Sequence, residues 1–172
     1  MLSLQTINTF DTSLFYWFQS RRQMHAGVTL TSRYISRLGD GVMYILLGML
    51  LAIFEPQDGA AFFRSGLFAF LIEFPLYLFL KNTIRRDRPC ERLSVEVAVK
   101  PTEKFGFPSG HAAAAFVFAS VLSQIYPSIA LLAYSIAMLI SVSRVVLGVH
   151  YPADIVAGAA VGIVCGFLSV GS

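Results

Sequence analysis

The sequence predicts an all-α integral membrane protein. The expected count is five transmembrane helices, six if the amino-terminal segment adds one, with an amphipathic helix lying in the membrane interface ahead of them. Three observations carry this. Hydrophobic residues make up 56% of the 172 positions and charged ones only 13%, where a soluble domain carries roughly 25% charge. The mean hydropathy is +0.67, which leaves more apolar surface than one domain of this length can hide from water. The apolar residues also fall in runs bounded by Pro, Gly and charge. The same composition excludes a disordered chain, a nucleic-acid binder and a disulfide scaffold. Cys90 and Cys165 have no metal-ligand spacing, and Cys165 sits in an apolar run as a small buried hydrophobe.

Each element has its own signal. In residues 1–38, Phe10, Leu14, Phe15, Trp17 and Phe18 recur at near-helical spacing, interrupted by Asp11, Thr12, Ser13 and Gln19 and followed by Arg21 and Arg22. That pattern predicts an interfacial helix anchored by Trp17. It lacks the basic start, clean apolar core and cleavage site of a signal peptide. Residues 23–38, with His25 in an exposed loop and with Arg33 and Arg37, are expected to form a second surface segment.

The first span is Val42 to Phe54, closed by Glu55 and Pro56. It is short against the roughly 20 residues a bilayer requires. The second runs from Ala60 to Leu80, with Arg64 near one end and Glu73 inside, beside Pro75. The third is Ala112 to Gln124, and Tyr126 with Pro127 reverses the chain into the fourth, Ser128 to Val142. The fifth is Tyr151 to Val170, with Pro152 in its first turn, where a missing N–H costs nothing. Ala112 to Ala115, and Gly158 with Gly162, suit close helix packing. Residues 81–108 are too polar to cross a membrane and too long for a plain turn, so they are read as an active-site loop. Residues 1–172 thus form a single membrane-embedded domain.

Alternating spans bring the end of the second, the 81–108 loop, the start of the third and the junction of the fourth and fifth to one face. Topology alone explains a basic loop. It does not explain two histidines and an aspartate at helix ends on that face, and ionisable groups at the membrane boundary are functional candidates. Three clusters stand out: Lys81 through Arg88-Pro89; Pro108-Ser109-Gly110-His111; and Ser143-Arg144, with His150 and Asp154 beyond it.

The chemistry of these residue types converges on a phosphate. Lys81, Arg88 and Arg144 are three cations, and arginine forks match phosphate oxygens. Ser109 and Gly110 open a helix, where free N–H groups and the positive dipole end favour an anion. His150 and Asp154 are four apart, which on a helix puts them on one face, so the carboxylate can hold the imidazole in one tautomer. His111, from another helix, can supply a proton to a leaving group. Three clustered cations would repel a divalent ion, so no metal or other cofactor is expected.

This pattern, Lys-x6-Arg-Pro, Pro-Ser-Gly-His and Ser-Arg-x5-His-x3-Asp over residues 81–154, resembles the type 2 phosphatidic acid phosphatase (PAP2) superfamily. The resemblance implies a PAP2-like helical bundle and a lipid phosphatase. His150 would attack phosphorus to give a phosphohistidine, Asp154 would orient it, and His111 would protonate the leaving oxygen. Lys81, Arg88, Ser109, Gly110 and Arg144 would hold the phosphate. The soluble haloperoxidases of the family, which hold vanadate in the same cradle, are excluded by the apolar composition and short length. The substrates so implied are lipids entering from the bilayer: phosphatidylglycerophosphate, phosphatidate, undecaprenyl pyrophosphate or lipid A 1-phosphate. Many members have six spans. Members of this compact size look bacterial, which implies an inner-membrane protein, and family precedent implies a site on the periplasmic face, against the positive-inside reading of Arg21, Arg22, Arg33 and Arg37.

Two rival functions share these residues. A phosphotransferase would pass the phosphoryl group from the same histidine to a second lipid. A non-catalytic protein that binds or moves anionic lipids would need only the cations. Among the remaining residues, Glu73 reads as a structural acid or as a group lining the lipid groove. Tyr151 reads as an interfacial anchor or a headgroup contact. Arg85 and Asp87 read as local ion pairs or as the rim of the site.

Overall fold

The structure, a computed structural model, describes residues 4–93, 95, 97–101 and 103–170. Residues 1–3 of the amino-terminal segment, 94, 96 and 102 of the expected active-site loop, and the last two of the chain lie outside the described residues. The described chain is helical: α1 Leu4–Met24, α2 Ala26–Arg37, α3 Gly41–Phe54, α4 Gly59–Ile84, the short α5 Pro89–Arg92, α6 Gly110–Ile125, α7 Ala130–Val146 and α8 Pro152–Ser169.

Helix α6 occupies the centre, with α3, α4, α7 and α8 packed around it. Its sequence explains this position. Ala112, Ala113, Ala115 and Ala119 keep it thin, and these residues with Phe116, Val117, Val121 and Leu122 bury its sides. Gly158 and Gly162 of α8 lie against the Ser109 and Ala113 carbonyls, where any Cβ would collide. Away from the site, Phe62, Phe118 and Tyr126 stack in tilted and edge-on pairs, and Tyr126 donates to Glu55 at 2.7 Å.

Three helical segments are long and apolar enough to cross a membrane: Gly59–Ile84, Pro127–Val146 and Pro152–Ser169. A fourth arises if the α2–α3 pair, bent by 52°, is one broken span. By length and composition alone α3, with 14 residues, and α6, with 16, fall short of a full span, so three to four of the expected five meet that measure. A helix encased by its neighbours need not match the bilayer. Within the expected surface segment 23–38, residues 26–37 form α2, which leads into α3 through the bend at Gly39 and Asp40.

Two boundaries move in ways that matter. Helix α4 continues past Leu80 to Ile84 and ends at Arg85 in the left-handed region, φ 48°. Lys81 is thus part of the helix and not of the loop. Helix α7 continues past Val142 to Val146, so Arg144 lies in its last turn, where a cation suits the exposed carbonyls. Beyond it Gly148, at φ 84°, turns the chain back toward the site, a conformation that glycine adopts without strain.

Candidate active site

The ends of α4, α6, α7 and α8 meet at one face, joined there by the 85–109 connection and by α1. Between α7 and α8 lies His150, completely packed in. It is not on the α8 helix; the expectation of a helical His150–Asp154 face is corrected here. Asp154 sits in the first turn of α8, where its Oδ2 accepts the Tyr151 N–H at 2.8 Å. The His150 Nδ1 to Asp154 Oδ2 distance is 3.7 Å, whereas Nδ1 lies 2.8 Å from the Gly106 carbonyl oxygen. A carbonyl can only accept, so Nδ1 carries the proton and Nε2 keeps its lone pair. Burial pushes the His150 pKa down to about 4, even with the carboxylate of Asp154 nearby.

Arg88 crosses this space. Its Nε donates to the Glu103 carbonyl at 2.8 Å and its Nη1 to the Val149 carbonyl at 2.9 Å. The same Nη1 is 3.2 Å from His150 Nε2. Arg144 donates to Ser36 Oγ at 2.6 Å, and its buried Nε has no hydrogen-bond partner among the described residues. His111 is more open, with Nε2 at 3.3 Å from Asp40 Oδ1. Arg88, Arg144, His111, His150 and Gly110 border one cavity of about 320 Å³.

Lys81 and Ser109 stand differently from expectation. The Lys81 ammonium is held by the Tyr77 hydroxyl and the Glu103 carboxylate. Tyr77 also donates to Glu103, at 2.7 and 2.9 Å. A carboxylate of this protein thus stands among the cations. Burial alone would raise the Glu103 pKa, but hydrogen bonds from Lys81 and Tyr77 and the charges of Lys81 and Arg88 bring it below the usual carboxylate range. Ser109 is engaged locally: its Oγ accepts the Ala112 N–H at 3.5 Å as the cap of α6, and its own N–H donates to the Asp154 carbonyl at 3.0 Å. It joins α6 to α8 and leaves the N–H groups of the next residues to face an anion.

Several contributors were not legible beforehand. Arg86 reaches Asp154 Oδ1 at 2.8 Å and Asp11 Oδ2 at 2.6 Å. Burial works against its charge, but Asp154 and Asp11 together hold its pKa above the ordinary arginine value. Asp11 Oδ1 also accepts the Ala153 N–H at 2.9 Å. Asp11, Phe15 and Gln19 form the buried stripe of α1, and Gln19 donates to the Val145 carbonyl at 2.8 Å. Their spacing of four was visible in the sequence; the partners were not. Tyr151 is neither anchor nor headgroup contact. It is buried between Phe15 and the Arg86 guanidinium, which lies 4.3 Å above its ring. Arg85 and Asp87 form no ion pair with each other: Arg85 donates to Asn82, and Asp87 pairs with Phe105 through the backbone. Among the described residues no group of His, Cys, Asp and Glu is arranged to hold a metal ion.

The cavity bordered by Arg88, Arg144, His111 and His150 lies at one end of a membrane helical bundle, a placement that fits a membrane phosphatase. The PAP2 superfamily model matches residues 62–171. Decaprenylphosphoryl-5-phosphoribose phosphatase of Mycobacterium tuberculosis is 30% identical over 143 residues, covering 81% of this chain and 77% of that protein. The crystal structure of Aquifex aeolicus LpxE superposes with a TM-score of 0.84 at 29% identity, covering 94% of each chain. The transmembrane PAP2-type phosphatidylglycerolphosphate phosphatase of Bacillus subtilis superposes with a TM-score of 0.79 at 25% identity, covering 99% of this chain and 87% of that one. The chain belongs to the PAP2 superfamily, as an integral membrane protein of its lipid-phosphatase branch.

Proposed function

We propose that this phosphatase hydrolyses a lipid phosphomonoester or diphosphate by way of a phosphohistidine on His150. The observation that carries the reading is the His150 ring itself. Its Nδ1 proton is committed to the Gly106 carbonyl at 2.8 Å, which leaves Nε2 unprotonated, 3.2 Å from Arg88 Nη1 on a ring that borders the cavity. A phosphate oxygen taken up by Arg88 places phosphorus next to that lone pair. Nε2 then forms the N–P bond while the bond from phosphorus to the leaving oxygen breaks. His111, across the cavity, gives that oxygen its proton and next takes one from the water that cleaves the N–P bond. Arg88 and Arg144, with the N–H groups opening α6, balance the charge on the transferring group. Lys81 joins them once Glu103 yields. Asp154 and Gly106 together fix the ring.

The substrate is drawn from phosphatidylglycerophosphate, phosphatidate, undecaprenyl pyrophosphate and lipid A 1-phosphate, reaching the site sideways from the bilayer. In this reading α3, α4, α6, α7 and α8 are the five membrane helices and α1 lies in the interface. The exposed Phe10, Tyr16 and Trp17 of α1 support that placement. We further place the protein in the bacterial inner membrane with the site toward the periplasm.

Phosphate release by the purified protein in detergent, with a chelator present and all four lipids as substrates, tests the reading. Release is expected to survive chelation, to vanish in His150→Ala and to fall about 10²- to 10⁴-fold in Asp154→Asn. Turnover retained in His150→Ala would sink the mechanism. Phosphorylated acceptor lipid in place of free phosphate would make the enzyme a phosphotransferase.

A further inference from the structure

One buried acid in this cavity has no work in the mechanism above. Helix α4 carries Glu73, Tyr77 and Lys81 at successive spacings of four, so they share one face. All three are about 95% buried. Tyr77 and Lys81 are satisfied by Glu103. Glu73 lies deeper along the helix, beside Pro75, and no described residue gives it a hydrogen bond or a counter-charge. It nevertheless borders the same cavity as Arg88, His111, Arg144 and His150. A carboxyl group in a membrane helix is costly without a partner. Here the open space it borders is that cavity.

The cavity is therefore polarised. Its outer end is lined by cations and takes the phosphoryl group. Its inner end offers carboxyl oxygens flanked by Phe70, Phe74 and Ala114. Eight residues of α4 separate Lys81 from Glu73, which is a rise of about 12 Å. A bare phosphoryl group does not span that distance.

Resting on the phosphatase reading, we propose that Glu73 is a specificity-determining residue that accepts a hydrogen bond from a hydroxyl of the substrate headgroup. The favoured substrates are then phosphomonoesters carried on a hydroxylated spacer, a glycerol or a sugar, between the phosphate and the lipid anchor. Phosphatidate, whose phosphate joins a fully acylated glycerol, has no such donor and leaves Glu73 unpartnered.

The test compares two substrates within each variant, so the amount of folded enzyme cancels. The ratio of kcat/KM for phosphatidylglycerophosphate over phosphatidate is measured for the wild type, Glu73→Ala and Glu73→Gln. The wild type is expected to favour phosphatidylglycerophosphate. Glu73→Ala is expected to cut the ratio about 10- to 100-fold through loss on that lipid, with phosphatidate turnover held. Glu73→Gln, whose amide oxygen still accepts, is expected to keep part of the preference. An unchanged ratio, or equal loss on both lipids, would overturn the role of Glu73 and leave the phosphatase reading standing. A wild type that releases phosphate from none of the panel lipids would bring down both.

Discussion

On one side of the site, α6 meets α8 backbone to backbone. Gly158 and Gly162 lie against the carbonyls of Ser109 and Ala113, and the Ser109 N–H donates to the Asp154 carbonyl at 3.0 Å. That contact fixes the start of α6, which carries His111, against the first turn of α8, which carries Asp154. On the other side, α1 and the 85–109 connection are held by charge. Asp11 binds Arg86, Arg86 binds Asp154, and Glu103 gathers Lys81 and Tyr77. A wall of close-packed backbone has no room to yield, so damage to it is all-or-none. A wall of ion pairs partly open to water can re-form, so damage to it is graded.

The packed wall gives the largest expected effect. A leucine at position 162 would drive its Cβ into the Ala113 carbonyl, with Val117 N at 2.9 Å and the Phe116 Cβ at 3.0 Å. Backbone cannot move aside as a flexible side chain does, and overpacking costs about 1–3 kcal/mol or more. Gly162→Leu is expected to lower the melting temperature in detergent sharply and to abolish turnover with it. A variant that melted like the wild type would show that α6 and α8 are further apart than described here.

The charged wall is probed by Arg86→Ala. Asp154 keeps its Tyr151 N–H bond, so the fold is expected to melt within a few degrees of the wild type. Turnover is expected to fall about 10- to 100-fold, the scale of losing one charge-assisted hydrogen bond at about 1.5–3 kcal/mol. Freed from Arg86, Asp154 would also attract a proton to His150 more strongly and raise its pKa. A merely structural role for Arg86 would leave that titration where it was. Asp11→Asn, one bond further out, is expected to do the same to a smaller extent.

The two walls also differed in how far the sequence disclosed them. The residues of the packed wall announce themselves by type and spacing: Pro-Ser-Gly-His, the small face at Gly158 and Gly162, and the Arg-x5-His-x3-Asp run. The membrane class and the convergence of the motifs at one face followed from hydropathy alone. Local detail did not. Spacing of four suggested a helical His150–Asp154 pair, but Gly148 ends the preceding turn early and hands the Nδ1 proton to Gly106. The charged wall was illegible because its pairs are distant in sequence: Asp11 to Arg86 and Arg86 to Asp154 are 75 and 68 positions apart, and even Lys81 to Glu103 is 22. Nothing local in a sequence marks which arginine of Arg85-Arg86-Asp87-Arg88 will find a distant aspartate. Length alone does not count α6 as a span, for a related reason. Hydropathy scores each helix against lipid, and α6 is packed against protein.

A smaller effect is expected from Glu103. Its carboxylate stands on Lys81 and Tyr77, where a phosphate oxygen would compete with it. Glu103→Gln removes the competing charge and keeps the side chain's shape. KM for a lipid phosphate is expected to fall about threefold, with kcat little changed, because the gain is in ground-state binding. A rise in KM would mean that Glu103 positions Lys81 for the substrate and does not stand in its way.

The smallest effect is a titration that stays flat. An ordinary histidine near pKa 6.5 would be about 97% protonated at pH 5. Burial places His150 at about 4, so at pH 5 roughly nine-tenths of it remains neutral by the same relation. The sign follows from the charged form being the disfavoured one: the unfolded chain takes up the proton first, so folding stability falls as pH drops from about 6.5 toward 4. In 15N-histidine NMR of the substrate-free protein, the His150 ring is expected to keep the signature of a neutral Nδ1–H imidazole from pH 8 to 5. Arg86→Ala should raise its midpoint measurably. A wild-type midpoint near 6.5 would mean that water reaches the ring. The lone pair on Nε2 would then depend on pH instead of being built in by the packed wall and the Gly106 carbonyl.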